Sequence, residues 1–108
     1  MERLTKPGDF SLCYKKGKMH KGKYVVVYSR ANGLTFPRIG FSVSKKLGKA
    51  VRRNKVKRRL RAIMQQEQER IKTGVDLVIA ARMPASGAEY APLQAGLQEG
   101  LKRLGVLE

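Results

Sequence analysis

Between Lys45 and Arg61 the chain reads KKLGKAVRRNKVKRRLR: ten lysines or arginines in seventeen residues, with no acid among them. Side chains of this type at this density do one kind of chemistry, which is to hold polyanions. Like charges four residues apart (Arg53 with Lys57, Lys57 with Arg61, Lys55 with Arg59) repel on an isolated helix by a few tenths of a kcal/mol per pair. Such a segment is frustrated until something anionic lies across it, and a nucleic-acid backbone is the plainest counter-charge. The whole 108-residue chain carries a net charge of +16, unevenly spread. Residues 1–61 hold 19 basic and 2 acidic side chains, and residues 62–108 hold 5 and 6, which is +17 against −1. The first half therefore builds a basic surface on a nearly neutral support.

The residue types that break bonds are sparse. His20 is the only histidine and has no carboxylate placed beside it. Cys13 is the only cysteine, so no internal disulfide forms, zinc is set aside, and a packing role is expected. The carboxylates are scattered, without the spacing of a two-metal cluster, and no glycine-rich phosphate loop follows a strand. Protein-borne catalysis is not expected. No run of 18 apolar residues predicts a membrane span, and the N-terminus MERLTKPGDF lacks the apolar core of a secretory signal. The expectation is a cytoplasmic, single-domain nucleic-acid binder spanning 1–108, with no obligate protein partner. RNA is favoured over duplex DNA because Phe10, Tyr14, Tyr24 and Tyr28 could stack on unpaired bases, each worth about 1–3 kcal/mol.

The elements that must position these residues follow from periodicity. Residues 1–6 read as a loose start with Leu4 free to pack. A short helix is predicted from Pro7 to Lys16, with Pro7 in its first turn and Gly17 as its stop. On it Phe10 and Tyr14 share one face, which spacing alone assigns to the core. Residues 23–29 (KYVVVYS) form a strand, with Tyr24, Val26 and Tyr28 facing one way and Val25 and Val27 the other. Asn32-Gly33 is a hairpin-type turn signal. A second strand runs over 36–44, with Ile39, Phe41 and Val43 on an apolar face. Gly40, Ser42 and Ser44 lie on a small face that lets something approach closely. A regular helix is predicted from Ala50, ended by Gly74, with Val56, Leu60, Ile63, Met64 and Ile71 inside an arc of about 100°. Val75 to Ala81 is an interior strand, residues 83–87 a loop, and Pro92 opens a last helix through Leu104. Gly96 and Gly100 weaken that helix, so tertiary packing must hold it.

At IGFSVSKKLGKAVRRNKVKRRLR the chain resembles the protein subunit of bacterial ribonuclease P. The shared features are the strand GFSVSKK, the following KAV, the Arg-Asn-x-x-Lys-Arg helix, and AR-x-PA at Ala81, Arg82, Pro84 and Ala85. Asp9-Phe10 followed by the aromatic Tyr14 also fits, and the likeness spans Arg3 to Leu104. It implies an α/β (α+β type) domain of order α-β-β-β-α-β-α. A four-stranded sheet, an extra short strand near Lys18 to His20 and a left-handed βαβ crossover come with it. It also implies that an RNA is the catalyst, cutting precursor tRNA at the mature 5′ end with Mg²⁺, while the protein holds the 5′ leader and supports the RNA. Carried onto this chain, the positions facing the catalytic RNA are Arg53, Asn54, Lys55, Lys57, Arg58 and Arg61, with Lys45, Lys46 and Arg52 beside them. The leader-binding cleft falls on Phe10, Tyr14, Val26 and Tyr28, which moves Phe10 from core to cleft. Lys55 stands where the family signature has arginine, keeping the charge without the planar fork. Tyr14 replaces a frequent phenylalanine. The basic helix by itself also fits a small ribosomal protein or an RNA chaperone. A free-standing nuclease and a helix-turn-helix DNA binder are the weaker readings.

Overall fold

The computed structural model describes residues 2–108. Five strands and three α-helices follow in the order β1 (Glu2–Arg3), α1 (Pro7–Lys16), β2 (Lys18–Lys21), β3 (Val25–Ala31), β4 (Arg38–Ser42), α2 (Ala50–Glu67), β5 (Val75–Ala81) and α3 (Tyr90–Arg103). The strands form one mixed sheet in the order β1-β4-β5-β3-β2. The α+β class and the order from α1 onward are as the resemblance implied, but the sheet has five strands rather than four. The additional one is β1, which pairs parallel with β4 through Glu2–Arg38 and Arg3–Ile39. Leu4 follows it into the interior, its N–H donating to the Ile39 carbonyl at 3.0 Å. Residues 2–4 are therefore tied down rather than loose, and a two-residue strand is too short to show a pattern.

β5 is interior, as its continuous apolar run requires, pairing parallel with β4 and antiparallel with β3. This corrects the hairpin suggested by Asn32-Gly33: β3 and β4 do not pair, because β5 lies between them. The Asn32 side chain instead accepts the Leu34 N–H and donates to Asp76 and to the Phe36 carbonyl. β4 and β5 are joined through α2, which gives the βαβ unit. β2 sits at the other edge, paired with β3, where the resemblance placed a strand that KMHK does not announce.

The sheet separates two apolar layers. On one face Val25, Val27, Ile39, Leu77 and Ile79 pack against Val56, Leu60, Ile63 and Met64 of α2 and Leu93, Leu97 and Leu101 of α3. On the other face Leu4, Cys13 and Val78 form a smaller cluster with Phe10 and Tyr28, beneath α1. Ile71 is buried with the first layer, but α2 ends at Glu67 and a 3₁₀ turn intervenes, so it belongs to an extended segment bridged to Leu107. Residues 83–87 are also a 3₁₀ helix, and α3 starts at Tyr90 with Pro92 still inside its first turn. Tyr24 precedes β3 and packs on the α3 side near Gly96, so it does not share the face of Val26 and Tyr28. The glycines of α3 have a packing reason. A Cβ on Gly100 would lie 2.7 Å from Cγ2 of Val27, so the helix rides directly on the sheet.

One carboxylate is fully buried beneath α1. Arg38 donates from Nε (2.9 Å) and Nη2 (2.7 Å) to the two oxygens of Asp76, and Asn32 donates at 2.8 Å. Arg30 stands 3.5 Å away, and Arg38 also reaches Asp9 of α1 at 3.5 Å. Burial pushes the Asp76 carboxyl up, but the hydrogen bonds from Arg38 and Asn32 and the charges of Arg38 and Arg30 outweigh it, leaving it below the usual carboxylate value.

Two outcomes are expected. Gly100→Ala gains helix propensity of about 1 kcal/mol yet should destabilise the protein by about 1–3 kcal/mol through overpacking against Val27, read by urea unfolding. Asp76→Asn should cost about 3 kcal/mol by leaving Arg38 without its charge partner. A depressed folded pKa means that the stabilisation is complete above the unfolded value, about 4, and fades as pH falls through the folded value. The native protein should therefore lose stability in acid below about pH 4, and Asp76→Asn should flatten that loss.

Candidate nucleic-acid interface

Two surfaces carry the candidate residues, and β4 leads from one to the other. The first lies on the α1 face of the sheet. Strand register puts Met19, Tyr28, Val78 and Gly40 in one row across β2, β3, β5 and β4, and Lys21, Val26, Ala80 and Ser42 in the next. α1 rests on the first row. The Phe10 ring sits on Gly40, where a Cβ would be 2.6 Å from its Cζ, and packs with Leu4, Cys13 and Val78. Tyr14 meets Tyr28 edge to face, with ring centroids 4.9 Å apart and planes at 78°. Tyr14 is 43% exposed, while Phe10 and Tyr28 are half-buried. Val26 is 9% exposed and is a floor residue rather than a wall.

The structure thus brings Phe10, Tyr14 and Tyr28 together, with Val26 two residues along the same face of β3. The core assignment that spacing gave to Phe10 and Tyr14 is half right: one ring edge of Phe10 is packed, and Tyr14 is outside. Tyr24 is removed from the stacking set. Cys13 belongs to the bed below Phe10, and burial, helped by the charge of Asp76, pushes its thiol up to about 11, so it stays neutral and packs. His20 lies in β2 and faces Gly100 of α3. Met19, Ala80 and Ser42 extend the groove and were not singled out beforehand, although the small residues of β4 already marked a place of close approach.

The second surface follows from the end of β4. Lys45 and Lys46 occupy a one-turn 3₁₀ helix whose Leu47 is buried, and Gly48 then takes φ +118°, a conformation that favours glycine. α2 turns Val56, Leu60, Ile63 and Met64 inward. Arg52, Asn54, Lys55 and Arg58 are exposed, and Arg53, Lys57 and Arg61 are half-buried along the flank. Among the described residues none of the cations from Lys45 to Arg61 forms an ion pair. The Nε atoms of Arg53 and Arg61 are buried without a hydrogen-bond partner in the described chain. Arg59 is the exception in role: it donates to the Ala88 carbonyl and braces the turn before α3. Arg82 similarly donates to the Gly22 carbonyl. Among the described residues, no three of His, Cys, Asp and Glu converge on a point that could hold a metal ion. No described helix is long and apolar enough to cross a membrane.

Such an arrangement can neutralise phosphates along α2 and stack unpaired bases in the groove. The Gly40 seat gives a direct check. Gly40→Ala should force the Phe10 ring from its bed, costing about 1–3 kcal/mol and moving the Phe10 and Tyr28 ring-proton resonances.

Comparison with known proteins agrees with this geometry. The family model described as Ribonuclease P matches residues 1–105. The ribonuclease P protein component of Alkaliphilus oremlandii is 36% identical over 107 residues, covering 99% of this chain and 94% of its own. That of Clostridioides difficile is 38% identical over 104 residues, covering 95% and 91%. Among solved structures, the Staphylococcus aureus RNase P protein superposes with a TM-score of 0.91 at 37% identity, covering 100% of this chain and 99% of the other. The Thermotoga maritima RNase P protein does so with a TM-score of 0.85 at 37% identity, covering 95% and 97%.

Proposed function

The chain belongs to the ribonuclease P protein family, and from that premise we propose that its groove holds the 5′ leader of precursor tRNA while α2 holds the catalytic RNA. As a family member it is a subunit of ribonuclease P, the endoribonuclease of tRNA 5′ processing, and it partners the RNase P RNA.

The observation that carries the leader reading is the Tyr14–Tyr28 pair over a floor of small and apolar residues, seated beside the Phe10 ring. An edge-to-face pair leaves an aromatic surface open to a base, and every base has a π-face, so leaders of differing sequence can be held alike. α2 supplies the complementary surface: unpaired cations that release counterions when phosphates replace solvent. Arg53, Asn54, Lys55, Lys57, Arg58 and Arg61, flanked by Lys45, Lys46 and Arg52, are the residues assigned to the catalytic RNA.

In this reading bond breaking belongs to the RNA and its Mg²⁺. The protein contributes position: it tethers the leader so that the scissile phosphate is presented to the RNA, and it offsets repulsion between two polyanions. The scattered carboxylates and the packed, neutral Cys13 thiol support a division in which no protein side chain acts on the phosphate.

The test compares precursor with mature tRNA, with catalytic RNA present and at low Mg²⁺. The protein should strengthen binding and 5′ processing of the precursor selectively. Phe10→Ala and Tyr14→Ala should each shrink the precursor-over-mature preference by about fivefold or more, the equivalent of one lost stack. Arg53→Ala should leave that preference and weaken the protein's hold on the catalytic RNA. Equal affinity for both tRNA forms with and without the protein would exclude the leader assignment, and cleavage by the protein alone would exclude the RNA as sole catalyst.

A further inference from the structure

A cavity of about 420 Å³ opens at the end of the sheet, where β3 ends and β2 and β5 begin. It uses no residue of α2 and none of the groove positions. Lys16, Lys18, Arg30 and Lys72 line it, and no carboxylate does. The four cations come from four separate parts of the fold: the last turn of α1, the start of β2, the end of β3 and the segment after α2.

Their positions are fixed by backbone. Lys18 pairs with Ser29 across the sheet, and the Lys72 N–H donates to the Val106 carbonyl at 2.8 Å. At the α1–β2 junction a Cβ on Gly17 would lie 2.7 Å from the Ser29 carbonyl oxygen, so the junction and β3 are in close contact there. Among the described residues Lys16, Lys18 and Lys72 form no ion pair and no side-chain hydrogen bond. Arg30 has Asp76 at 3.5 Å, but the Asp76 oxygens already accept three hydrogen bonds from Arg38 and Asn32. The positive charge here is in surplus.

A lysine at the end of α1 is favourable for the helix dipole, which accounts for Lys16. It does not account for Lys18 or Lys72, which lie outside any α-helix. A recess lined by one sign of charge focuses its field on whatever anion enters. We propose that this cavity is a second phosphate site, which takes backbone phosphates of the catalytic RNA independently of α2. The three lysines exceed the need of one small anion and match successive phosphates of a strand, while the Arg30 guanidinium is turned toward Asp76. The site opens at the end of the sheet and shares no residue with the groove, so the RNA there is a segment other than one stacked on Tyr14 and Tyr28. The inference rests on the partnership with RNase P RNA and not on the leader assignment.

The experiment uses the full chain and the catalytic RNA with no tRNA present, so that the leader plays no part. Lys18→Gln/Lys72→Gln is compared with Lys23→Gln/Lys102→Gln, which removes the same charge from exposed positions outside the cavity, the groove and α2. The cavity variant should lower the slope of log K against log salt by about 1 to 2, with a correspondingly weaker affinity at low salt, while the control retains the slope. Unchanged unfolding midpoints show that both variants fold. As a second arm, inorganic phosphate is titrated into the free protein while the Lys18 and Lys72 amide resonances are followed. Phosphate-dependent shifts together with the lost slope support the proposal. Shifts with an unchanged RNA slope would assign the cavity to a free anion and overturn the RNA assignment. Equal slopes for the two variants without phosphate shifts would remove the site altogether.

Discussion

The buried Asp76 carboxylate is the point on which the geometry of the groove depends. It lies in the central strand and faces α1, where Arg38 from β4 closes on both its oxygens and Asn32 closes the connection between β3 and β4. Arg38 then extends to Asp9 in the first turn of α1. A charge taken fully from water is tolerated only when its partners are held in good geometry. Here those partners are the strands that flank β5 and the helix that crosses them. The same contacts that satisfy Asp76 therefore fix where α1 starts, and so where Phe10 and Tyr14 arrive, one and two turns later.

Away from that point the electrostatics are left open on purpose-built surfaces. The acids of the second half are largely committed locally: Glu67 is buried with Arg70 and Gln98, and Glu99 pairs with Arg103. None of them reaches the cations of α2. The helix is held mainly by its apolar stripe, with Arg59 on the Ala88 carbonyl and Gln66 and Glu67 bonded to α3, which lets its outer faces carry charge that costs some stability. If α2 holds RNA as proposed, a surface of repelling like charges would regain free energy when phosphates arrive, and the binding term and the folding penalty would share one origin. Lys55 fits this view. It is exposed and takes part in no ion pair or side-chain hydrogen bond among the described residues, so a compact point charge serves there without an arginine fork.

What the sequence made legible was what local periodicity encodes. α1 and β5 run over the residues that capping signals and apolar runs indicated, and α2 begins at Ala50 with its stripe inward. Partner choice in the sheet was not legible. Asn32-Gly33 has the chemistry of a tight hairpin, yet the strand that sits beside β3 in place of β4 arrives more than forty residues later, because only an interior slot buries VDLVIAA on both faces. β1 and β2 escaped the pattern for the opposite reason, since two residues and the polar KMHK have no apolar alternation to read. In the groove, Phe10 looked like core because spacing cannot separate a ring lying on a glycine from a ring inside a protein. The resemblance to the ribonuclease P family supplied the distinction, and Gly40 gives it a physical basis. Arg59 shows the converse limit: within a run of identical charge, composition cannot tell the residue braced on Ala88 from those facing outward.

The groove itself follows from a mismatch of lengths. β3 and β5 each have seven residues, so each is about 23 Å long. α1 has ten residues, is about 15 Å long and about 10 Å wide, and cannot cover those strands whichever way it crosses them. On the opposite face α2 and α3 together supply thirty-two residues of helix and cover most of the sheet. The uncovered strip under α1 must then be made of residues that tolerate water without inviting aggregation. Val26, Ala80 and Ser42 meet that demand: small or sunken, with Lys21 at their edge. A second helix on this face would complete the core and abolish the groove. Leaving the sheet half-dressed provides a flat floor with aromatic rings at one side, the feature on which the proposed leader site rests, and the stability forgone is limited because so little of that floor is strongly apolar.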